Sequence, residues 1–123
     1  MSALAAIRGA VQAETDTAEA IDAATETLLA EIVRRNGLDL DEIVAVWFTQ
    51  TADLAAAWPA PTARRMGWSG AAFLCGVEPA VEGSLPRTIR ALVLADGRSG
   101  RPRHAYLGAA AALRPDLDEG DSR

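Results

Sequence analysis

Two arginines stand inside stretches that otherwise have the pattern of buried β-strands. Arg90 interrupts the aliphatic run of residues 88–94, and Arg8 interrupts residues 4–11. Because side chains alternate along a strand, Arg90 shares its face with two leucines and a terminal threonine. A buried charge without a partner is strongly destabilising. Each arginine therefore either extends its long side chain to water, pairs with a buried carboxylate, or binds an anionic ligand. Because the pattern occurs twice, an anion site is favoured.

Three further side chains are candidates for contacts with such a ligand. Glu78 follows the apolar run AAFLCGV and could be solvated at a strand end, orient Arg90 or accept a hydrogen bond from a ligand hydroxyl. Cys75 is the only cysteine; it is either a small buried hydrophobe or a ligand contact, and nothing marks it as a nucleophile. Tyr106, the only tyrosine, could belong to the core or reach a carboxylate through its hydroxyl. His104 is expected in a surface loop.

Other kinds of chemistry are not indicated. The sequence has no Ser, His and Asp spacing typical of a triad, no glycine-rich phosphate loop and no evident general base. One cysteine and one histidine are a poor basis for zinc, so we expect no metal. All twelve basic residues are arginine, which suits bidentate recognition of carboxylates, although a GC-rich genome would produce the same bias.

Composition restricts the partners and the compartment. The chain of 123 residues has a net charge of −5, which is a poor match for nucleic acid, although local arginines can still bind a small anion. No apolar run approaches the ~20 residues of a membrane span, and the N-terminus lacks the pattern of a signal peptide. These features predict a cytoplasmic protein that binds neither nucleic acid nor a membrane.

One long helix is the clearest predicted element. Asp16 or Thr17 can cap its start, and Asn36-Gly37 provides a left-handed stop. Its apolar stripe is Ile21, Ala24, Leu28, Leu29 and Ile32. Strands are predicted over residues 4–11, 43–49, 71–76, 87–94 and 103–107, a short helix over residues 51–58, and a short helical turn over residues 61–65.

The predicted elements are unbalanced, with about five strands and only one long helix. One helix covers one face of a small sheet, yet the strands over residues 43–49 and 87–94 are apolar on both faces. The second face must be buried elsewhere, and another copy of the chain is the simplest cover. The sequence therefore predicts an α+β subunit that oligomerises through its sheet.

Six blocks of the sequence resemble the monofunctional chorismate mutases of the AroH class. In chain order they are IRGA, DTAEAI, TADLAAAWPA, LCGVE, GSLPRTIRAL and HAYLGAAAALRPDL. Their order and spacing are those of the family, and they extend from Ile7 to Leu117. The resemblance predicts one domain of this type over residues 1–117, and the polar composition of residues 118–123 predicts a disordered tail.

The resemblance implies both a fold and a reaction. The fold is an α+β pseudo-α/β-barrel homotrimer, with a mixed five-stranded sheet per subunit and active sites between subunits. The reaction is the Claisen rearrangement of chorismate to prephenate, toward phenylalanine and tyrosine. It is pericyclic and unimolecular, so it needs no nucleophile, base, metal or cofactor. The enzyme holds the flexible dianion in a compact chair-like conformer and stabilises the charge that develops as the ether bond breaks.

The resemblance also implies a role for each matching residue. Arg90 matches an arginine that donates to the ether oxygen and to a substrate carboxylate. Arg8 matches one that holds a carboxylate, and Tyr106 matches a tyrosine whose hydroxyl orients the same end. Glu78 and Cys75 match residues near the ring hydroxyl, with Cys75 supplied by the adjacent subunit.

The mouth of the implied site is built from other segments. Trp58 and Arg64 match an aromatic wall and a mobile arginine, both from the same neighbouring subunit as Cys75. Arg114 falls in the tail segment that can close over the site. Leu74, a substrate-contacting position, stands where some members carry threonine.

Pro61 also departs from the family pattern, because some members carry a lysine at this position of the mouth. Losing a rim cation should weaken capture of the dianion more than the chemical step. Two other functions stay open at this point. One is a non-catalytic or specialised-metabolism paralogue that binds a chorismate-like dianion. The other is an enamine deaminase of the Rid/YjgF type, a similar trimer whose signature blocks are absent here.

Overall fold

The structure is a computed structural model that describes residues 3–97 and 101–117. In chain order its main elements are β1 (Ala5–Gln12), α1 (Ala18–Asn36), β2 (Ile43–Gln50), α2 (Ala60–Arg65), β3 (Ala72–Val77), β4 (Thr88–Ala95) and β5 (Ala105–Tyr106). Short 3-10 turns occupy Leu40–Glu42, Gly108–Leu113 and Pro115–Leu117. None of the helices within these ranges combines the length and the apolar character needed to cross a membrane.

The strands form one mixed sheet in the order β3-β2-β4-β1-β5. The central strand β4 is antiparallel to both β1 and β2, whereas β3 runs parallel to β2 and β5 runs parallel to β1. This topology confirms the predicted mixed five-stranded sheet. It also places β3 and β5 at opposite edges, four strand spacings or roughly 19 Å apart.

Helix α1 begins and ends close to the predicted residues. The hydroxyl of Thr17 caps the first turn by accepting a hydrogen bond from the Ala20 N–H at 3.1 Å. Gly37 closes the helix in the left-handed conformation with φ of 56°. Of the two candidate caps it is therefore Thr17 that caps the helix. Asp16 instead accepts hydrogen bonds from the backbone N–H groups of residues 55–56.

The main core lies between α1 and one face of the sheet. Gly9 allows the close packing there, because a Cβ at this position would lie 2.8 Å from Leu28 Cδ1 and 3.0 Å from the Ala105 oxygen. The absence of a side chain at Gly9 therefore lets α1 and β5 pack closely against β1. The large side chains that are completely buried in this core include Ile7, Ile21, Leu28, Leu29, Ile32, Val46, Phe48, Trp68, Ile89 and Val93.

The opposite face of the sheet, called the bare face below, has no α-helix over it, and only the 3-10 turn Gly108–Leu113 packs on its β1 and β5 end. Trp47, Leu74 and Leu92 share this face in one row across β2, β3 and β4. Their exposed fractions are 40%, 63% and 36%. The observed burial agrees with the expectation that the chain's own long helix covers only one side of its sheet.

Two predicted elements differ in the structure. The prediction of a helix over residues 51–58 is wrong, because this segment forms irregular turns. The buried amide of Gln50 donates to the carbonyls of Leu54 and Ala57, and Asp16 binds two backbone N–H groups of the segment. These side-chain bonds replace the helical ladder.

The predicted fifth strand is also shorter than expected, since only Ala105–Tyr106 pair with β1. The short helix expected after Pro59 is present as α2, with its proline in the first turn. The predicted polar tail over residues 118–123 lies outside the described residues.

Candidate active site

Arg90 lies on the bare face near the middle of the sheet and contacts a carboxylate. Its Nε is 2.8 Å from Glu78 Oε2, and the two side chains are 38% and 17% exposed. Glu78 follows β3 directly and is fixed by its own N–H, which donates to the Gln50 carbonyl at 2.9 Å. Of the readings left open by the sequence, the structure shows an ion pair with Glu78, and the Arg90 side chain also remains partly exposed to water.

Strand register places a row of different side chains across the sheet at the level of Arg90. Ala10 of β1 is opposite Arg90 on one side, and Thr49 of β2 is opposite it on the other. Tyr106 of β5 is in turn paired with Ala10. Neighbouring strands are about 4.8 Å apart, so Tyr106 and Arg90 flank the small side chain of Ala10. Ala10 is itself completely buried, because it packs with Tyr106 and Ala110.

Arg8 lies on the same face, one row away from Arg90. It is opposite Leu92, two residues beyond Arg90 along β4, which makes the two arginines diagonal neighbours. Arg8 is exposed, and its backbone N–H donates to His104 Nδ1 at 2.9 Å. This bond assigns His104 a structural role beside β5. The two mid-strand arginines that the sequence singled out therefore lie on one side of the sheet.

Tyr106 and Arg114 close the β5 side of this region. Tyr106 is 8% exposed and packs with Ala110 and Leu113 of the following turn in a small second core. Arg114 forms a bidentate pair with Asp116, with distances of 3.0 Å from Nε and 2.7 Å from Nη2. This carboxylate is the main reason that the pKa of Arg114 is raised.

Cys75 and Arg64 belong to a second cluster at the other edge of the sheet. Cys75 is in register with Phe48 and packs against the main core, which puts it on the covered side of β3. Burial raises the pKa of its thiol, while the Ala60 N–H and the Arg64 charge act in the opposite direction. The Arg64 guanidinium lies 5.3 Å from the centroid of the Phe73 ring, within the range of a cation–π contact.

The predicted site residues thus fall into two groups within one chain. The first group surrounds Arg90 on the bare face and consists of Arg90, Glu78, Arg8, Tyr106 and Arg114. The second group is near α2 and the β3 edge and consists of Cys75, Arg64 and Trp58. Trp58 lies just before α2 and is 47% exposed. Leu74 is exposed on the bare face beside Trp47. Because Cys75 and Arg90 face opposite sides of the sheet, one chain does not bring the two groups together.

Sequence reasoning missed two residues that contact the predicted site side chains. Thr49 donates a hydrogen bond from its hydroxyl to Glu78 Oε2 at 2.6 Å, and Phe73 lies under Arg64. The sequence carried one signal for Thr49, because it is a polar side chain in a strand that is apolar on both faces. Phe73 gave no signal, because an aromatic residue in a strand is ordinarily part of the core.

Metal binding is not indicated by the described residues. They contain no group of three or more His, Cys, Asp or Glu side chains that could hold a metal ion. A cavity of about 300 Å³ lies beyond Glu78, lined by residues 51–53, 79–81 and 84–86. It contains none of the predicted site side chains, and its wall is largely apolar. In the single chain the Arg90 side chain is 38% exposed.

Comparison with known proteins decides the family. The family model of chorismate mutase type I matches residues 4–117. The chain belongs to this family. It is 47% identical over 115 residues to chorismate mutase AroH of Thermus thermophilus, which covers 91% of this chain and 94% of that protein. It is 37% identical over 114 residues to chorismate mutase AroH of Bacillus subtilis strain 168, with 90% of each covered.

A solved structure extends the likeness to three dimensions. The chorismate mutase from Clostridium thermocellum superposes with a TM-score of 0.83 at 41% identity, covering 88% of this chain and 98% of that one. Family membership makes this protein an isomerase, and it confirms the resemblance drawn from the six sequence blocks. The five-stranded sheet and its few helices are accordingly those of a chorismate mutase relative.

Proposed function

We propose that this chain catalyses the Claisen rearrangement of chorismate to prephenate in the biosynthesis of phenylalanine and tyrosine. The observation that carries the proposal is the guanidinium of Arg90, paired with Glu78 on the sheet face that also carries Arg8, in a member of this family. An arginine fixed in this way is prepared to receive an anion. A dianionic substrate can accept hydrogen bonds from Arg90 and Arg8 together.

The reaction asks for positioning and charge stabilisation. Within one molecule the ether C–O bond breaks as a new C–C bond forms, and no proton or electron is exchanged with the enzyme. Negative charge grows on the ether oxygen, and we assign Arg90 to donate to this oxygen and to one carboxylate. Arg8 and Tyr106 hold the carboxylate at the same end, while Glu78 lies near the ring hydroxyl. Confinement of the flexible dianion to its reactive conformer supplies the remaining acceleration.

The complete site is proposed to form between subunits of a homotrimer. Two features support this arrangement. The exposed row of Trp47, Leu74 and Leu92 needs cover, and an apolar sheet face of this kind is typical of an oligomer interface. The second group of site residues is turned away from Arg90 in its own chain, so a neighbour must supply Cys75 and Arg64.

The remaining parts of the proposal concern extent, tail and compartment. The active unit is a single domain over residues 1–117, supported by the family match over residues 4–117. Arg114 belongs to a segment that closes over the bound substrate, and it then exchanges Asp116 for a substrate carboxylate. Trp58 and Leu74 line the pocket beside the substrate. The enzyme acts in the cytoplasm. It needs no metal or cofactor, because the rearrangement is intramolecular.

The direct test adds chorismate and follows the loss of its absorbance. We expect saturable turnover to prephenate by a protein that sediments as a trimer. Binding of chorismate without turnover would instead identify a non-catalytic paralogue. A well-folded monomer at micromolar concentration would remove the shared site.

A mixing experiment tests whether neighbouring subunits share each pocket. Chains carrying Arg90→Ala are mixed with chains carrying Arg64→Ala under conditions of proven subunit exchange. If the two arginines of one pocket come from different chains, some mixed trimers regenerate an intact site, and the activity exceeds that of either parent. An activity equal to the average of the parents would contradict a shared pocket.

A further inference from the structure

We propose that Thr49 is a positioning residue for the rearrangement, which acts by fixing the carboxylate of Glu78 against Arg90. The inference rests on the proposed function of the Arg90 site. It assigns a role to a side chain that makes no contact with the substrate in the proposed mechanism. The role depends on a hydroxyl group at this position and not on the shape of the side chain alone.

The two contacts of Glu78 converge on one oxygen atom. The Thr49 hydroxyl donates to Oε2 at 2.6 Å, and Arg90 Nε lies 2.8 Å from the same oxygen. The 2.6 Å distance between the Thr49 hydroxyl and Oε2 is characteristic of a hydroxyl bound to an ionised carboxylate. The hydroxyl and the guanidinium therefore approach Oε2 together, and the position of this oxygen sets the position of the guanidinium.

Strand register explains why Thr49 is the residue that performs this task. It is opposite Arg90 on β4 and opposite Gly76 on β3. Because Gly76 precedes Glu78 by two residues, the Glu78 side chain turns back toward this row to meet the hydroxyl. A Cβ at Gly76 would meet no atom within 4 Å, so the space beside Thr49 is open on the β3 side. The backbone of Glu78 is already held by Gln50. The Thr49 hydroxyl therefore fixes the Glu78 side chain, which the backbone bond leaves free to rotate.

Fixing Glu78 has a consequence for the fork of Arg90. The ion pair engages Nε, and in the parts of the chain that the structure describes Arg90 makes no other ion pair. The terminal nitrogens Nη1 and Nη2 are left to receive the ether oxygen and a carboxylate. Without the Thr49 hydroxyl the carboxylate can rotate about its side-chain bonds, and the fork loses its fixed direction. Preorganised donors of this kind lower the barrier because they need no reorientation during the reaction.

Steady-state kinetics with chorismate on three single variants test the role. Thr49→Val removes the hydroxyl at nearly constant shape, and we expect kcat to fall about tenfold, as for the loss of a hydrogen bond to a charged group, with little change in KM. Thr49→Ser keeps the hydroxyl and should stay within about twofold of the wild type. Thr27→Val removes a hydroxyl that donates to the Ala23 carbonyl on the exposed side of α1 and should leave kcat unchanged.

A double-mutant comparison shows whether Thr49 acts through Glu78. In a Glu78→Ala background the Thr49→Val change should cause no further loss, because the carboxylate that it fixes is absent. The proposal is overturned if Thr49→Val retains wild-type kcat, if Thr49→Ser is as slow as Thr49→Val, or if the loss is as large in the Glu78→Ala background as in the wild type.

A spectroscopic measurement separates failure of this inference from failure of the proposed function. The Nε–H resonance of Arg90, assigned by its loss in Arg90→Lys, should be sharp in the wild type and in Thr49→Ser and broadened in Thr49→Val. If the wild type does not convert chorismate, the function has failed, and the resonance still decides whether Thr49 fixes the pair. An unchanged resonance in Thr49→Val would refute the positioning role in either case.

Discussion

The two faces of the sheet are built from the same strands and have opposite properties. On the covered face Ile7, Phe48 and Val93 are at most 1% exposed under α1. On the bare face Trp47 and Leu92 are 40% and 36% exposed, and the charged pair Arg90–Glu78 lies among them. Strand alternation produces this separation, because successive side chains point to opposite sides.

The difference indicates how stability and activity are divided within the domain. Substitutions on the covered face act on packing, since a close-packed interior responds to a change of even one methyl group. Substitutions of charged groups on the bare face act on the substrate. Four variants test this division, which predicts a change in stability for packing residues and a change in kinetic constants for residues of the site.

Arg90→Ala should have the largest effect of the four, and it should act on catalysis. Loss of one preorganised donor costs about 2.7–4 kcal/mol, or roughly a hundred- to thousandfold in kcat, and the lost carboxylate contact adds to this. Arg90→Lys keeps the charge but not the fork, so it should also be badly impaired. Steady-state kinetics test both variants, with circular dichroism to confirm folding. A folded Arg90→Ala variant with near-normal kcat would reduce Arg90 to a structural partner of Glu78.

Gly9→Ala should mainly affect stability. The added Cβ would lie 3.0 Å from the Ala105 oxygen and 2.8 Å from Leu28 Cδ1, and overpacking of this kind typically costs about 1–3 kcal/mol. Gly70→Ala is the matched control, because a Cβ there meets nothing within 4 Å. Urea unfolding at fixed protein concentration compares the two. Equal stability of both variants would show that α1 and β5 can retreat from β1 without cost.

Arg64→Ala should raise KM about tenfold, with a smaller change in kcat, because a rim cation mainly aids capture of the dianion. The difference from the wild type should shrink at high salt. Arg65→Ala is the neighbouring control, since Arg65 is paired with Asp22 at 2.9 Å on the α1 side and should leave KM unchanged. If Arg65→Ala raised KM as much as Arg64→Ala, the effect would belong to α2 as a whole.

Glu31→Gln should have the smallest effect, on stability alone and in a defined pH range. Hydrogen bonds from Arg34 are the main cause that lowers the pKa of Glu31 from 4.5 to about 2. A carboxylate with a lowered folded-state pKa stabilises the fold above its unfolded pKa, and this stabilisation is lost as the pH falls from 4.5 toward about 2. The variant should be less stable by at most about 1 kcal/mol near neutral pH, with the gap narrowing below pH 4.5. Chemical unfolding at pH 7 and pH 3 measures the difference in unfolding free energy between the wild type and the variant. A difference that is larger at pH 3 would contradict the lowered pKa of Glu31.

The helix and the strand faces could be predicted from the sequence because their signals are local. The cap at Thr17, the stop at Gly37 and the stripe of α1 depend on residues within a few positions of each other. The same holds for the alternation in β4 that put Arg90 on a face opposite to Ile89 and Val93. These features determined that the chain has one long helix, a sheet with one uncovered face and two arginines inside strands.

The tertiary structure alone decided which partners those residues meet. The strand order brings Glu78 and Thr49 to Arg90, although they come from separate parts of the chain. It also places Cys75 on the sheet face opposite to Arg90. Residues 51–58 form no helix, because their backbone groups bind Asp16 and Gln50. Strand pairing joins residues far apart in sequence and depends on which faces bury together, so no short window of the sequence contains it.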